Sequence, residues 1–415
     1  MIARLVAAVP LLLCLALAPD QVSDLNDKAR AALDANKPAE AVPLLQQALK
    51  LSPGEPVLTR NLAWALFRRG EDFAADQRFV NALEDMREAW RLNPEEPGFA
   101  AHAGQILLRQ YRLDEAEKLL RDAVTRHAGA ADAWLLLGDS LALQGALTEA
   151  LEAYGQAAEK GTGQIAEVAR SSVERTKRQY AIEKDYRLDK TAWFDILGPT
   201  DTGGPLYASR LAAVLEKARS QVCAELGVHP QHRVTVVLYP VEAFKQATGM
   251  HDWVGGLFDR KIRLPIGDVE RDAAQIEAAF RHEFTHVIVS ELAPGCPTFV
   301  NEGLAQVMEF GRGNGMKRLV AWLDGRKGGR DAVPRLSELP ATFIDIADGD
   351  AVNTAYLASH AFIDWLVGLK GTGPVMTFVR NLDGQPVDQA FQAALRRPLS
   401  EQEQQFRDAV KAFRG

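Results

Sequence analysis

Between Val22 and Thr162 the chain repeats itself, and no other feature restricts its fold as strongly. Gly138 lies 34 positions after Gly104, and the surrounding residues keep the same register. Trp134, Leu137, Gly138, Leu141, Ala150, Tyr154 and Ala157 recur as Ala100, Ala103, Gly104, Leu107, Ala116, Leu120 and Ala123. The same frame fits Leu25, Lys28, Ala29, Ala32, Ala41, Leu45 and Ala48. A further unit runs from near Pro56 to Pro94 and is seven residues longer. The expected cause is an insertion around Asp72 to Phe79 that displaces Ala82, Met86 and Ala89. Within each unit the apolar positions follow helical spacing in two segments, so the unit is a pair of helices. One such pair cannot bury its own apolar face, whereas several stacked in a row share a continuous core.

The four units over residues 22–162 resemble tetratricopeptide repeats, with small residues where the two helices touch. Gln164 to Tyr186 reads as a more charged helix, and residues 163–187 are expected to cap the array and lead into the next domain. A repeat array is a scaffold, so a protein partner or a peptide is the occupant the resemblance implies.

A second domain is expected over residues 188–415. Trp193 to Leu197 and Arg233 to Tyr239 read as strands, the second buried and ended by Pro240. Trp253 to Phe258 and Lys261 to Pro265 read as a strand pair joined at Asp259-Arg260. Helices are expected over Tyr207 to Leu226 and Ala273 to Leu292. Strands followed by helices, without regular alternation, predict an α+β domain after the all-α solenoid.

The helix over Ala273 to Leu292 carries His282-Glu283-Phe284-Thr285-His286. Histidines four apart on a helix lie on one face, one turn apart. Two imidazoles so placed can share one tetrahedral metal ion, usually zinc. Glu283, one step round the helix, suits a general base acting on a water at the metal. A third protein ligand is needed, with the fourth position open. Pro294, Gly295 and Pro297 turn the chain, and Thr298 starts a helix whose first turn can lie against the previous one. Glu302, near that first turn, is the candidate third ligand.

Phe299-Val300-Asn301-Glu302-Gly303-Leu304-Ala305 is similar to the Asn-Glu-Gly signature of gluzincin metallopeptidases. A metzincin would carry a glycine and a histidine where this chain has Val289 and Leu292. Residues from about 190 to 390 resemble the peptidase-MA-like domains of bacterial proteins, often found beside tetratricopeptide repeats. The resemblance implies a zincin fold with one zinc ion, His282, His286 and Glu302 as ligands and Glu283 as base. It also implies an oxyanion donor from Ala355 to Phe362, with Tyr356 the choice and His360, one turn on, the rival. The His286 to Glu302 spacing is a few residues shorter than in aminopeptidase N, and that family's Gly-Ala-Met-Glu-Asn segment is missing. Endopeptidase activity is therefore expected rather than aminopeptidase activity. The strand pair before the helix would offer a free edge to an extended substrate. The contrasting expectation is a catalytically silent zincin domain in a repeat-based scaffold of the cell envelope. A third is an envelope assembly adaptor in which the repeats carry the function.

Other features bound these expectations. The chain has 415 residues, 47% hydrophobic and 25% charged, ordinary for roughly two or three soluble domains. Its formal net charge of -7 gives no case for nucleic-acid binding. Arg4 precedes an apolar run from Leu5 to Ala18, too short for a comfortable membrane span but suited to an export signal. Residues 1–18 are accordingly expected to be a signal peptide, with Ala16-Leu17-Ala18 as the cleavage sequence and a periplasmic or secreted product. Membrane contact is expected only if the signal stays uncleaved. Cys14 lies inside it, and Cys223 and Cys296 could pair or stay free. His251 is read as a loop residue. Gly311 to Arg330 is read as a solvated loop around a short helix. Met376 to Leu382, Val387 to Leu395 and Ser400 to Phe413 are expected to be helices, the last capped by Ser400.

Overall fold

The computed structural model describes residues 10–76, 78–200, 204–230, 232–248, 257–258, 261–267, 269–340, 342–343, 346 and 348–414. The chain divides into two compact units, Met1–Val173 and Glu174–Gly415. His251 and the Trp253 to Gly256 part of the expected strand pair lie outside the described residues. Among the described residues no helix is long and apolar enough to cross a membrane.

The first unit is built from helices α1 (Pro10–Asp34), α2 (Pro38–Leu51), α3 (Pro56–Ala75), α4 (Phe79–Leu92), α5 (Pro97–Arg109), α6 (Leu113–Arg126), α7 (Ala131–Gln144) and α8 (Leu147–Lys160). Prolines open α2, α3 and α5, where the missing N–H has no helical partner to lose. The helices pack as four successive hairpins, each also packed on the next. One contact recurs in the last three hairpins. A Cβ on Gly70 would stand 3.1 Å from Met86, one on Gly104 2.7 Å from Leu120, and one on Gly138 2.5 Å from Tyr154. In each pair the second residue lies 16 positions after the first, so glycine sets the closest approach of the two helices.

That contact corrects the expected position of the insertion. Gly70 precedes Gly104 by 34 positions and meets its partner at the same offset, so the region around Asp72 to Phe79 has ordinary length. The extra residues lie in α3, which has 20 residues against 13 in α5. Gly70 stands 14 positions after Pro56, whereas Gly104 stands 7 after Pro97. Seven residues make roughly two helical turns, so the added length keeps the buried face aligned.

Helix α9 (Gly163–Glu183) follows, and the division between the units falls within it. Among its described residues the second unit has a mixed five-stranded sheet of β1 (Arg187–Lys190), β2 (Phe194–Gly198), β3 (Val234–Pro240), β4 (Leu257–Phe258) and β5 (Ile262–Ile266). The order is β1-β2-β3-β5-β4. The pairs β2–β3 and β3–β5 are parallel, while β1 and β4 join the edges antiparallel. Pro240 is the last residue of β3, and α11 (Val241–Thr248) starts directly after it.

Strand alternation divides the side chains between two faces. Val234, Val236, Leu238, Ile262, Leu264 and Ile266 join the main core with α10 (Gly204–Leu226) and α12 (Val269–Leu292). Val237 and Tyr239 face the other way, with Phe244 of α11 and Ile182 and Tyr186 packed against them. On this second face Arg263 pairs with Glu183 at 3.1 Å, and Tyr239 donates to Glu183. All three are buried, and pairing offsets part of the cost of burying charge.

After α12 come α13 (Thr298–Phe310), α14 (Gly315–Leu323), α15 (Gly349–Lys370), α16 (Thr372–Asn381), α17 (Val387–Leu395) and α18 (Leu399–Ala412). Ser400 does not cap the last helix. The cap position is Pro398, with no side-chain bond, and Ser400 lies inside the helix. Asp364 of α15 instead receives the backbone N–H groups of Gly313 and Gly315 at 2.9 and 2.8 Å, closing the start of α14 from a neighbouring helix. Cys223 and Cys296 are both free.

Candidate metal centre

Helix α12 runs to Leu292, a Pro/Gly turn reverses the chain, and α13 starts at Thr298. Two sets of polar bonds lock α12 and α13 together. At one end the Asn301 side-chain oxygen is 2.9 Å from His286 Nδ1. At the other, Arg281 donates to the carbonyls of Met308 and Glu309 at 2.8 and 3.1 Å. Those carbonyls belong to the last turn of α13, where the helix itself supplies no donor. On the opposite side α13 rests on α15. A Cβ on Gly303 would stand 2.6 Å from the Ser359 carbonyl and 2.5 Å from Ile363. The glycine after Glu302 is therefore needed by packing, and it fixes the height of Glu302 above α12.

This arrangement brings His282, His286 and Glu302 together. One ligand atom from each lies within 4.8 Å of the others. Glu302 is 3.5 Å from His282 Nε2 and 3.7 Å from His286 Nε2. Both rings use Nδ1 elsewhere: His282 Nδ1 is 2.8 Å from Glu309, and His286 Nδ1 meets Asn301. Both Nε2 atoms consequently face Glu302. A carboxylate or carbonyl on the far nitrogen fixes the tautomer and raises ligand basicity. Phe258 of the edge strand β4 stacks on the His286 ring, with centroids 6.4 Å apart.

The charges favour a cation. Burial opposes ionisation of His282, but its contacts with Glu302 and Glu309 and the charges of Glu283 and Glu302 prevail and raise it to about 10. Burial alone would raise the Glu302 carboxyl, yet the two imidazoles beside it hold it below its ordinary value. His286 is lowered, chiefly by burial. Three carboxylates around two imidazoles thus draw positive charge to one point. Two nitrogens and one oxygen, each fixed from behind, are a donor set that suits zinc.

Glu283 is buried on α12. Tyr356 is half-buried on α15, its ring edge-on to Phe343 at 5.0 Å. Burial, then the charges of Glu302 and Glu283, push its hydroxyl up to about 12, so it stays protonated beside the two carboxylates. His360 is in a different position. It is fully buried, its Nδ1 accepts from Arg318 at 3.0 Å, and burial pulls it down to about 4. Sequence reasoning missed Glu309, Arg281 and the role of Asn301. Glu309 had a signal: it lies seven positions after Glu302, on the same helical face.

The profile of the tetratricopeptide repeat family matches residues 32–72, 67–131 and 102–165. Residues 32–165 are tetratricopeptide repeats. Tetratricopeptide repeats generally mediate protein–protein interaction, and the stacked hairpins of the first unit are their architecture. Among solved structures the chain is similar to a fragment of MamA from Desulfovibrio magneticus RS-1, at 18% identity and a TM-score of 0.29, covering 39% of this chain and 92% of that one. It is also similar to a thermophilic repeat protein of Thermus thermophilus, at 18% identity and a TM-score of 0.22, covering 37% of this chain and 99% of that one. No curated protein matches the chain.

Proposed function

We propose that the second unit is a zinc-dependent, gluzincin-like peptidase of the endopeptidase kind, and that the tetratricopeptide repeats recruit its protein partner or substrate. The observation that carries this reading is the convergence of His282, His286 and Glu302 within 4.8 Å, with both Nδ1 atoms held from behind. His282, His286 and Glu302 would hold the ion. Bound there, zinc would supply a Lewis acid that polarises a carbonyl and lowers the pKa of a water toward neutrality.

The chain's own residues account for the rest of the chemistry. Glu283 takes the proton from the attacking water and passes it to the leaving amine. The Tyr356 hydroxyl, kept protonated by its surroundings, donates to the developing oxyanion, a contribution of roughly two to three decades in rate. The short edge strand β4, beside His286, offers backbone groups to an extended peptide. The expected setting is the periplasm or the extracellular space after removal of the leader.

The test is zinc stoichiometry and cleavage of unfolded casein by the wild type and by Glu283→Ala. One zinc per chain in both proteins, with cleavage lost in the variant, is the expected result. Equal cleavage by both would remove Glu283 from the mechanism, and wild type without zinc would remove the site.

A further inference from the structure

Arg318, in the first turn of α14, is half-buried and carries a charge that the described residues do not pair. Its Nη1 donates to His360 Nδ1 at 3.0 Å and to the Gln306 side-chain oxygen at 3.4 Å. Its guanidinium carbon lies 3.5 Å from the centre of the Phe310 ring. All three anchors are uncharged, since burial keeps His360 neutral near pH 7. Burial also lowers the guanidinium from its ordinary value, and among the described residues the carboxylate field that offsets this is that of Glu309, which is engaged with His282. The bonds consume the Nη1 edge. The remaining Nε–Nη2 edge is a planar two-donor fork, the shape that accepts a carboxylate with both oxygens.

The two side chains that hold Nη1 belong to the neighbourhood of the candidate metal centre. Gln306 lies one turn beyond Glu302 on α13, and its amide donates to the Tyr356 carbonyl at 3.3 Å. His360 lies one turn beyond Tyr356 and feels the charge of His282. Because Arg318 only donates, His360 Nδ1 must accept, so its Nε2 carries the proton. That buried Nε2–H has no acceptor among the described residues, a second donor without a partner there.

We infer that the Nε–Nη2 edge of Arg318 is a carboxylate subsite, which makes the preferred ligand an anionic peptide. The inference deepens the peptidase reading and rests on it for the identity of the ligand as a peptide. The carboxylate comes either from the peptide's C-terminus or from an Asp or Glu side chain.

Calorimetric titration of zinc-loaded Glu283→Gln protein with acetyl-Ala-Ala-Phe-Ala-Ala, as free acid and as amide, and with an amide ending in Glu, separates the two sources. At least one carboxylate peptide should bind about 10-fold or more tighter than the neutral amide. Arg318→Gln in the same background should erase that ratio with zinc content unchanged. Arg318→Lys, which keeps the charge but loses the fork, should retain only part of it and covers the case in which the first variant misfolds. Equal binding of acid and amide, or a ratio that survives Arg318→Gln, overturns the subsite. A wild type that cleaves none of these peptides while the ratio holds would defeat the peptidase reading and leave the subsite standing.

Discussion

At the scale of single residues, the candidate centre depends on groups that stand behind its three candidate ligands. Glu309 and Asn301 hold the far nitrogens of the two histidines, and Arg281 ties down the helix end that carries Glu309. Glu309→Gln keeps an acceptor for His282 Nδ1 but removes a negative charge. Zinc affinity should fall by roughly 10-fold, within the range typical of such supporting groups. Competition with a chromophoric chelator measures it, and unchanged affinity would mean that Glu309 serves packing alone. Glu309 shares a helical face with Glu302 in the sequence, but neither bond to a histidine is legible there. Asn301 is inside the recognisable Asn-Glu-Gly string, but its bond to His286 requires the two helices to be folded back on each other.

At the scale of elements, glycine sets the spacing of helices in both units. Gly104 and Gly138 let the two helices of a repeat approach, and Gly303 does the same between α13 and α15. The consequences differ. A methyl at Gly303 meets backbone on one side, so α13 must shift, and Glu302 shifts with it. Gly303→Ala should destabilise the second unit by about 1–3 kcal/mol and weaken zinc binding. Gly138→Ala, where the added methyl meets the Tyr154 ring, should destabilise the first unit by a similar amount with zinc binding unchanged. Thermal unfolding combined with metal titration distinguishes them. Full zinc affinity in Gly303→Ala would show that α13 tolerates the shift.

At the scale of the whole molecule, the two units have separate hydrophobic cores, and all three candidate ligands lie in the second. Ligand binding stabilises only the state that binds, by about 2.7 kcal/mol when free zinc is 100 times its dissociation constant. Stripping the metal with a chelator should therefore speed amide hydrogen exchange in α12, α13 and α15 and leave α1 to α6 as they were. Exchange that rises equally in the repeats would contradict a metal confined to the second unit.

The sequence alone determined the elements whose signal is local. The repeat was legible because each unit solves the same packing problem with the same residue sizes at the same spacing. The pair His282 and His286 was legible because one helix fixes both positions, and Glu302 because a short Pro/Gly turn forces the next helix to return. What the tertiary structure decided was what depends on contacts between elements. The two extra turns of α3 were misplaced because a seven-residue addition preserves helical periodicity, and only the Gly70–Met86 contact shows which side of it is new. Ser400 reads as a cap by type, but the cap position fell to Pro398, and α14 takes its own cap from Asp364 on another helix. Glu309, Arg281 and Arg318 act on residues 27 to 42 positions away. No short-range pattern carries such pairings, because they exist only once the helices that bear them have packed.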